Sequence, residues 1–444
     1  CTYVGGSKDD RALGICVDDA GKAAICGETN STDFPTSGAS AYQPASAGKY
    51  DAFITQLRAT GSGVNFSTYL GSGADDRANA IDCDRAGTLI CFGGEAKGPF
   101  ERTWPFIGPT ELPPYIVPYN FTFNAGNFSD GFVGKMAGTG TFIEKNKHFL
   151  SYIGNTKNDR VLSVVLLPSG EVIAGGETEG GTATKGFPVT NGNTQSNGGV
   201  DCFVSKFNFQ GTALPNSYMF GGSSNEGVSS LYYNASAAEI IVAGTTSSTN
   251  YPTAIGANNQ SPEKETLGGV KDGFVCRLGV NLDRLTYSTF FGGSKEDGIT
   301  AVAATPRGDV YFAGYTLSDD VPVVKDGLQP QTGGSRDGFI SKIAFGTVTL
   351  TAPNGGAVYC PGATTRIAWT KGEGLSITEN IDIELSSDGG ITWTSVAKQI
   401  TGTEYGWKIP ANQSLGTNYK IRILHPSSGI RDESDASFSI GSSA

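Results

Sequence analysis

Histidine and methionine are nearly missing, each occurring twice in 444 residues. Only His148 and His425 exist, and neither lies near a nucleophile motif, so no catalytic triad and no imidazole-based metal site can be assembled. No Lys/Arg run occurs and the formal charge is −11, which repels a phosphate backbone and excludes nucleic acid as a partner. Apolar runs stay well short of the roughly 18 residues a membrane-spanning helix needs. Neither an initiator Met nor a signal peptide precedes Cys1, so the chain reads as processed or trimmed. Helical periodicity is absent too. Glycine, in contrast, occurs 63 times, which favours turns between short strands.

Self-similarity is the strongest signal. Five segments open on an aromatic strand and a glycine turn: "TYVGGSKDDRA", "TYLGSGADDRA", "SYIGNTKNDRV", "YMFGGSSNEGV" and "TFFGGSKEDGI". The acids closing these turns are Asp10, Asp76, Asp159, Glu226 and Asp297. A strand pair follows, ending in Gly27, Gly93, Gly176, Gly244 and Gly314. After a loop carrying an apolar or aromatic residue before Pro comes a third motif: "DAFITQL", "DGFVGKM", "DCFVSKF", "DGFVCRL" and "DGFISKI". Each unit thus offers four short β-type runs bounded by Gly, Asn, Asp and Ser. Such a unit is one blade of a β-propeller, which buries its faces only by stacking on its neighbours.

Blade 5 has only three such strands before the pattern stops at Gly346. The expected fold class is all-β: a five-bladed β-propeller over residues 1–346, closed by the N-terminal strand, followed by an Ig-like β-sandwich over 347–444. In that closure residues 1–7 pair with the strand beginning at Asp337 and leave no open edge.

The template "TYLGSG", "AGxT", "DFPT" and "DAFI" resembles the SBBP family of β-propeller repeats, which implies a secreted or surface protein. The family name refers to seven blades, whereas this chain shows five. Blade 2 also carries the insertion "GPFERTWPFIGPTELPPYIVPYNFTFNAGNF", a Pro- and aromatic-rich loop. Trp104, Phe106, Tyr115 and Tyr119 make it either an interaction surface or a folded-back flap.

Composition shifts after Gly346, where three of the four Trp lie: Trp369, Trp393 and Trp407. "TVTLTAP", "TRIAWT", "IDIELSS", "TWTSVAK", "YGWKIP", "YKIRILH" and "ASFSIG" give seven short strands, the pattern of an immunoglobulin-like sandwich. "PNGG", "ELSSDGGITWTSV" and "YKIRI" resemble the Kre9/KNH-related domains of surface proteins, which implies a spacer or attachment module. "SSDGGITW" matches the Asp-box of sialidase propellers. One copy between two strands is better explained structurally, with Asp388 accepting turn N–H groups and Trp393 packing behind.

The acids Asp51, Asp130, Asp201, Asp272 and Asp337 start the third strand of every unit, which suits structural acceptors for loop N–H groups better than a catalytic ring. A glycosidase would place carboxylates on the inner strands around the axis, yet acids occur there only as Asp18, Asp82 and Asp84. No cofactor is expected; calcium on clustered acids such as Asp9-Asp10 or Asp319-Asp320 is the alternative.

The eight cysteines point to an oxidising compartment. Cys16 and Cys26 flank one hairpin, and Cys83 and Cys91 flank its counterpart in the same register, which predicts two cross-strand disulfides. Cys202 and Cys276 are expected as free buried thiols. Cys1 either bonds Cys360 at the domain junction or carries lipid as an anchor. Asn-x-Ser/Thr occurs at Asn30, Asn65, Asn120, Asn127, Asn234, Asn259 and Asn412, open to glycosylation.

The functional expectation is a non-enzymatic extracellular or cell-surface protein with a structural or adhesive role. It would self-assemble or meet a surface partner through protein–protein contacts, as a fibre or surface-layer subunit. The alternative is a propeller that binds or hydrolyses carbohydrate, with Trp104 as a stacking platform.

Overall fold

The computed structural model describes residues 1–37, 41–100, 123, 128–140, 148–179, 187–190, 198–235, 237–254, 262–305, 309–323, 327–343, 345, 348–372, 380–426 and 431–441. Among them every regular element is a β-strand. Sheet one contains β1 (Asp10–Val17), β2 (Ala23–Thr29), β3 (Asp51–Leu57) and β4 (Val64–Leu70). Sheet two contains β5 (Asp76–Cys83), β6 (Leu89–Ala96), β7 (Asp130–Ala137) and β8 (Phe149–Ile153). β9 (Asp159–Leu166), β10 (Val172–Glu179), β11 (Val200–Phe207) and β12 (Asn216–Phe220) form sheet three. Sheet four is β13 (Glu226–Asn234), β14 (Glu239–Thr246), β15 (Asp272–Gly279) and β16 (Leu285–Phe291). Sheet five has three strands, β17 (Asp297–Ala304), β18 (Val310–Thr316) and β19 (Asp337–Ile343). All five sheets are antiparallel meanders in chain order.

The same irregularity recurs in every sheet. The first strand bulges two residues after its leading acid, between Ala12 and Gly14 in sheet one and between Ile299 and Ala301 in sheet five. Opposite each bulge sits Gly27, Gly94, Gly176, Gly244 or Gly314. A Cβ there would lie 1.8–2.0 Å from a carbonyl oxygen of the first strand, so only glycine fits. In sheet two this residue is Gly94 and not the Gly93 that the spacing picked out.

Consecutive sheets stack through their first strands, β1 on β5, β5 on β9, β9 on β13 and β13 on β17, where β14 also contributes. Each junction is an apolar cluster: Ala24, Ile54, Ala78 and Ile81 between sheets one and two. Val133, Val161 and Val164 join two to three, Val204, Val228 and Leu231 three to four, and Val275, Ile299 and Val302 four to five. A sheet with one face on its predecessor and one on its successor explains the near-continuous apolar third strands.

Closure of this series by the N-terminus is not seen. Residues 1–9 carry no strand, and among the described residues β19 pairs with β18 alone.

The C-terminal region forms two sheets around one core. β20 (Val348–Ala352), β22 (Thr364–Lys371) and β25 (Glu404–Lys408) make the first. The second runs β21 (Val358–Tyr359), β28 (Phe438–Ile440), β26 (Gly416–Leu424), β23 (Ile381–Ser386) and β24 (Thr394–Ile400), with β27 (Arg431–Glu433) also on β26. Leu350, Ile367, Trp369 and Trp407 from one sheet meet Ile383, Ile421, Ile423 and Phe438 from the other.

Candidate functional site

Three of the four internal junctions are clamped by two acids around a glycine. Asp10, Asp76, Asp159, Glu226 and Asp297 each accept the backbone N–H four residues earlier, at 2.5–2.8 Å. The third-strand acids hold the preceding loop in the same way: Asp51 accepts from Ala47 N and Ser46 Oγ, Asp272 from Gly268 N, Asp337 from Gly333 N. Gly154, Gly221 and Gly292 lie between the two sets, each with both acids within 2.8 Å of where a Cβ would stand. The five leading acids and Asp51, Asp272 and Asp337 therefore act as acceptors for turn N–H groups. Burial raises three of them: Asp51, Asp76 to about 6 and Asp159 to about 7.

At the ends of the series the clamp is split. Gly5 has Asp10 nearest to it, and among the described residues no fourth strand brings a glycine turn to Asp337. The apolar positions behave likewise. Position five after the leading acid is 7, 6, 7 and 8% exposed in Ile81, Val164, Leu231 and Val302, but Ile15 of β1 is 66% exposed. In the third strand Ile54, Val133, Val204 and Val275 are fully buried, whereas Ile340 of β19 is 77% exposed. Tyr69 is 1% exposed and Tyr3, in the matching motif, 99%. The exposed β1 face, the exposed β19 face and the segment around Tyr3 are the candidate functional surface. Sequence reasoning singled out none of Ile15, Tyr311 or Ile340, because their repeat positions are core positions everywhere else.

The concave side formed by the first strands holds a recess of about 450 Å³ lined by Ile15, Asn79, Asp82, Ser163, Leu231 and Tyr233, among others. Its polar groups tie one sheet to the next. Asn79 Nδ2 donates to Val161 O, Leu166 N to Asp82 Oδ2, Leu231 N to Ser163 Oγ and Val302 N to Ser230 Oγ. Asp18 accepts from Lys22 N, and Asp84 from Thr88 N and Leu89 N, within their own hairpins. Asp82 is raised by burial, yet it is spent on the junction. The basic residue of the third-strand motif is also a tie. Lys135 Nζ is buried and donates to Gly170 O and Phe209 O at 2.5 Å, with burial lowering it to about 8.

All eight cysteines are free. The hairpin turn between Val17 and Ala23 sets a register in which Cys16 faces Ala24 and Cys26 faces Gly14, two residues short of opposing the cysteines. In sheet two Cys91 faces Asp82 and Cys83 faces Ile90. The opposed pairs expected within each hairpin therefore do not form. Instead Cys16 contacts Cys83 across the junction, its thiol hydrogen-bonded to that residue and raised far above the usual range by that bond and by burial. Cys202 and Cys276 are buried in one cluster, where burial also raises both thiols. Cys1 is exposed and Cys360 half-buried, both as free thiols.

Trp104, Phe106, Tyr115 and Tyr119 lie outside the described residues. Near the two ends of that insertion, Phe100 stacks on Tyr152 at 5.5 Å and Phe123 meets the same ring edge-on. Asp388 accepts from Ile391 N and Thr392 N at 3.0 and 2.9 Å, and Trp393 Nε1 donates to Gly390 O. Hydrogen bonds from the Thr392 hydroxyl, Thr392 N and the Ser386 hydroxyl hold the Asp388 carboxyl far below the usual range. His148 and His425 are buried. Asp319 pairs with Lys295 and Asp320 accepts from Ser294 N. Among the described residues no three His, Cys, Asp or Glu cluster as a metal site, and no helix is long and apolar enough to cross a membrane. No family model matches the chain, and no curated protein is detectably similar to it.

Proposed function

We propose that the chain is a non-enzymatic structural or adhesive subunit of an extracellular or cell-surface assembly. In this reading the five sheets are propeller-type blades of the SBBP kind and the C-terminal pair is an Ig-like, Kre9/KNH-related attachment module. Contacts with other protein chains are its activity. One observation carries the proposal: the polar groups of the concave recess serve to join sheet to sheet, while extended apolar surface is displayed on the two terminal sheets. A buried polar group spent on backbone is poorly placed to recognise substrate, whereas contiguous exposed apolar surface marks contacts with other proteins. Negative-stain imaging of the purified protein tests it. Ordered oligomers or fibres are expected; dispersed single chains that retain or cleave a glycan would replace it with the carbohydrate reading.

A further inference from the structure

We infer that the chains join head to tail, with residues 1–7 of one copy supplying the fourth strand of sheet five in the next while β1 of the first packs on the second's fifth sheet. The inference rests on the structural-subunit reading and specifies its contact.

Three deficits occur together. Sheet five lacks the strand that sheets one to four place outside their third strand. Its outward face, with Tyr311 40% exposed, lacks the next sheet that covers Ala24, Cys91, Ile173 and Ile241 at the same repeat position. The N-terminal segment repeats the fourth-strand motif, yet Tyr3 touches solvent where Tyr69, Tyr152, Met219 and Phe290 are buried.

The internal junctions specify how these deficits fit. Phe53, Phe132, Phe203 and Phe274 stand opposite Tyr69, Tyr152, Met219 and Phe290. The same register sets Phe339 opposite Tyr3, Gly338 opposite Val4 and Ile340 opposite Thr2. It also delivers Gly5, already beside Asp10, to Asp337, giving the two-acid arrangement seen at Gly154, Gly221 and Gly292. Ile15 and Ala12 then cover Tyr311 and Ile340, as Ile81 and Ala78 cover the corresponding residues of sheet one. Strand addition at an open edge gives main-chain bonds for affinity and alternate side chains for specificity.

A second copy is the occupant because the chain's own two end faces stand apart. The N-terminal segment is tied to sheet one by Ser7 N to Asp33 Oδ1 and Lys8 N to Ser31 Oγ. Bringing sheet one onto sheet five in the same chain would require re-angling all four packed junctions, and packed cores resist such continuous deformation. A contact between two different faces of identical chains is heterologous and propagates into rings or fibres.

Two variants test this. Tyr3→Asp with Ile15→Asp spoils the donating end; Tyr311→Lys with Ile340→Lys spoils the accepting end. All four positions are exposed, so both variants should fold, which circular dichroism verifies. Wild type should sediment as multimers that grow with concentration. Each variant alone should be a single chain, and an equimolar mixture should stop at the dimer. A peptide of residues 1–8 should also block wild-type assembly without any substitution. Wild type that stays single-chain at every concentration overturns the inference, whether Tyr3 is then solvent-accessible or protected by its own sheet five. Multimers that survive both double variants also overturn it while leaving the structural-subunit reading in place.

Discussion

Sheets two to four and the terminal sheets share one repeat template but not one fate. In the interior, a sheet gives one face to its predecessor and one to its successor, and its apolar positions vanish from solvent. At the ends, the same residue types at the same positions are displayed. Ile81 and Ile15 are the same residue at the same repeat position in neighbouring strands, and they differ in what lies beyond them. An apolar residue in a repeat is therefore a core residue only if a neighbour exists. Where none is present in the chain, the repeat has built a binding face.

The comparison breaks most visibly when interior and terminal positions are cut down in parallel. Phe203→Ala, in the centre of sheet three, should cost about 3–5 kcal/mol and aggregate the protein on mild heating. Ile340→Ala should leave the stability of a single chain within about 0.5 kcal/mol, since nothing covers it there. Equal losses in denaturant melts at low protein concentration would mean that sheet five is covered after all.

Lys135 offers a second contrast. Its ammonium group links sheet two to two turns of sheet three, so Lys135→Ala should cost about 2 kcal/mol or more by stranding Gly170 O and Phe209 O. Lys342, its counterpart in sheet five, pairs with Asp309 at a partly exposed site, so Lys342→Ala should cost about 1 kcal/mol or less. Urea melts of the two variants compare them.

The first junction can be sharpened chemically. A small-molecule disulfide that forms a mixed disulfide with either thiol of this pair, slowly because Cys16 is held protonated, should be displaced by the other thiol, leaving an intramolecular bridge and two reduced reagent thiols. Peptide mapping should find the Cys16 and Cys83 peptides joined. Finding Cys16 joined to Cys26 instead would contradict the observed register.

Smallest is the pH effect. Asp76 and Asp159 sit above their ordinary value of 3.8, at about 6 and about 7, because burial penalises their charge. A raised folded value means that the contribution to stability is complete below the unfolded value and lost as pH rises through the folded one. The thermal midpoint should therefore carry a downward component between about pH 4 and 7, and Asp159→Asn should flatten it. A midpoint in Asp159→Asn that falls as steeply as in wild type would contradict this account.

Much of the architecture was legible from the chain alone. The five "DxF" strands and the five glycine turns mark third strands and sheet-to-sheet links, because each is fixed by local backbone geometry. The cysteine register was not legible. Where the turn between Val17 and Ala23 is centred decides whether Cys16 meets Cys26 or Ala24, and a run of polar and small residues such as "DDAGK" does not mark that centre. Nor could the sequence distinguish Ile15 from Ile81 or Ile340 from Ile54. Periodicity records which face is apolar, while what covers that face depends on the partner. Lys135 was hidden for a related reason, since a basic residue in a strand reads as solvent-facing until the turns that receive it are known.

Hydrogen–deuterium exchange of β19 at low and high protein concentration tests the central claim most directly. With one chain's N-terminal strand completing the next chain's sheet five, the outer-edge amides of residues 337–343 should exchange freely when dilute and slow markedly as concentration rises, together with those of residues 2–4. Amides that are protected at every dilution, or exchange freely at every concentration, would contradict it.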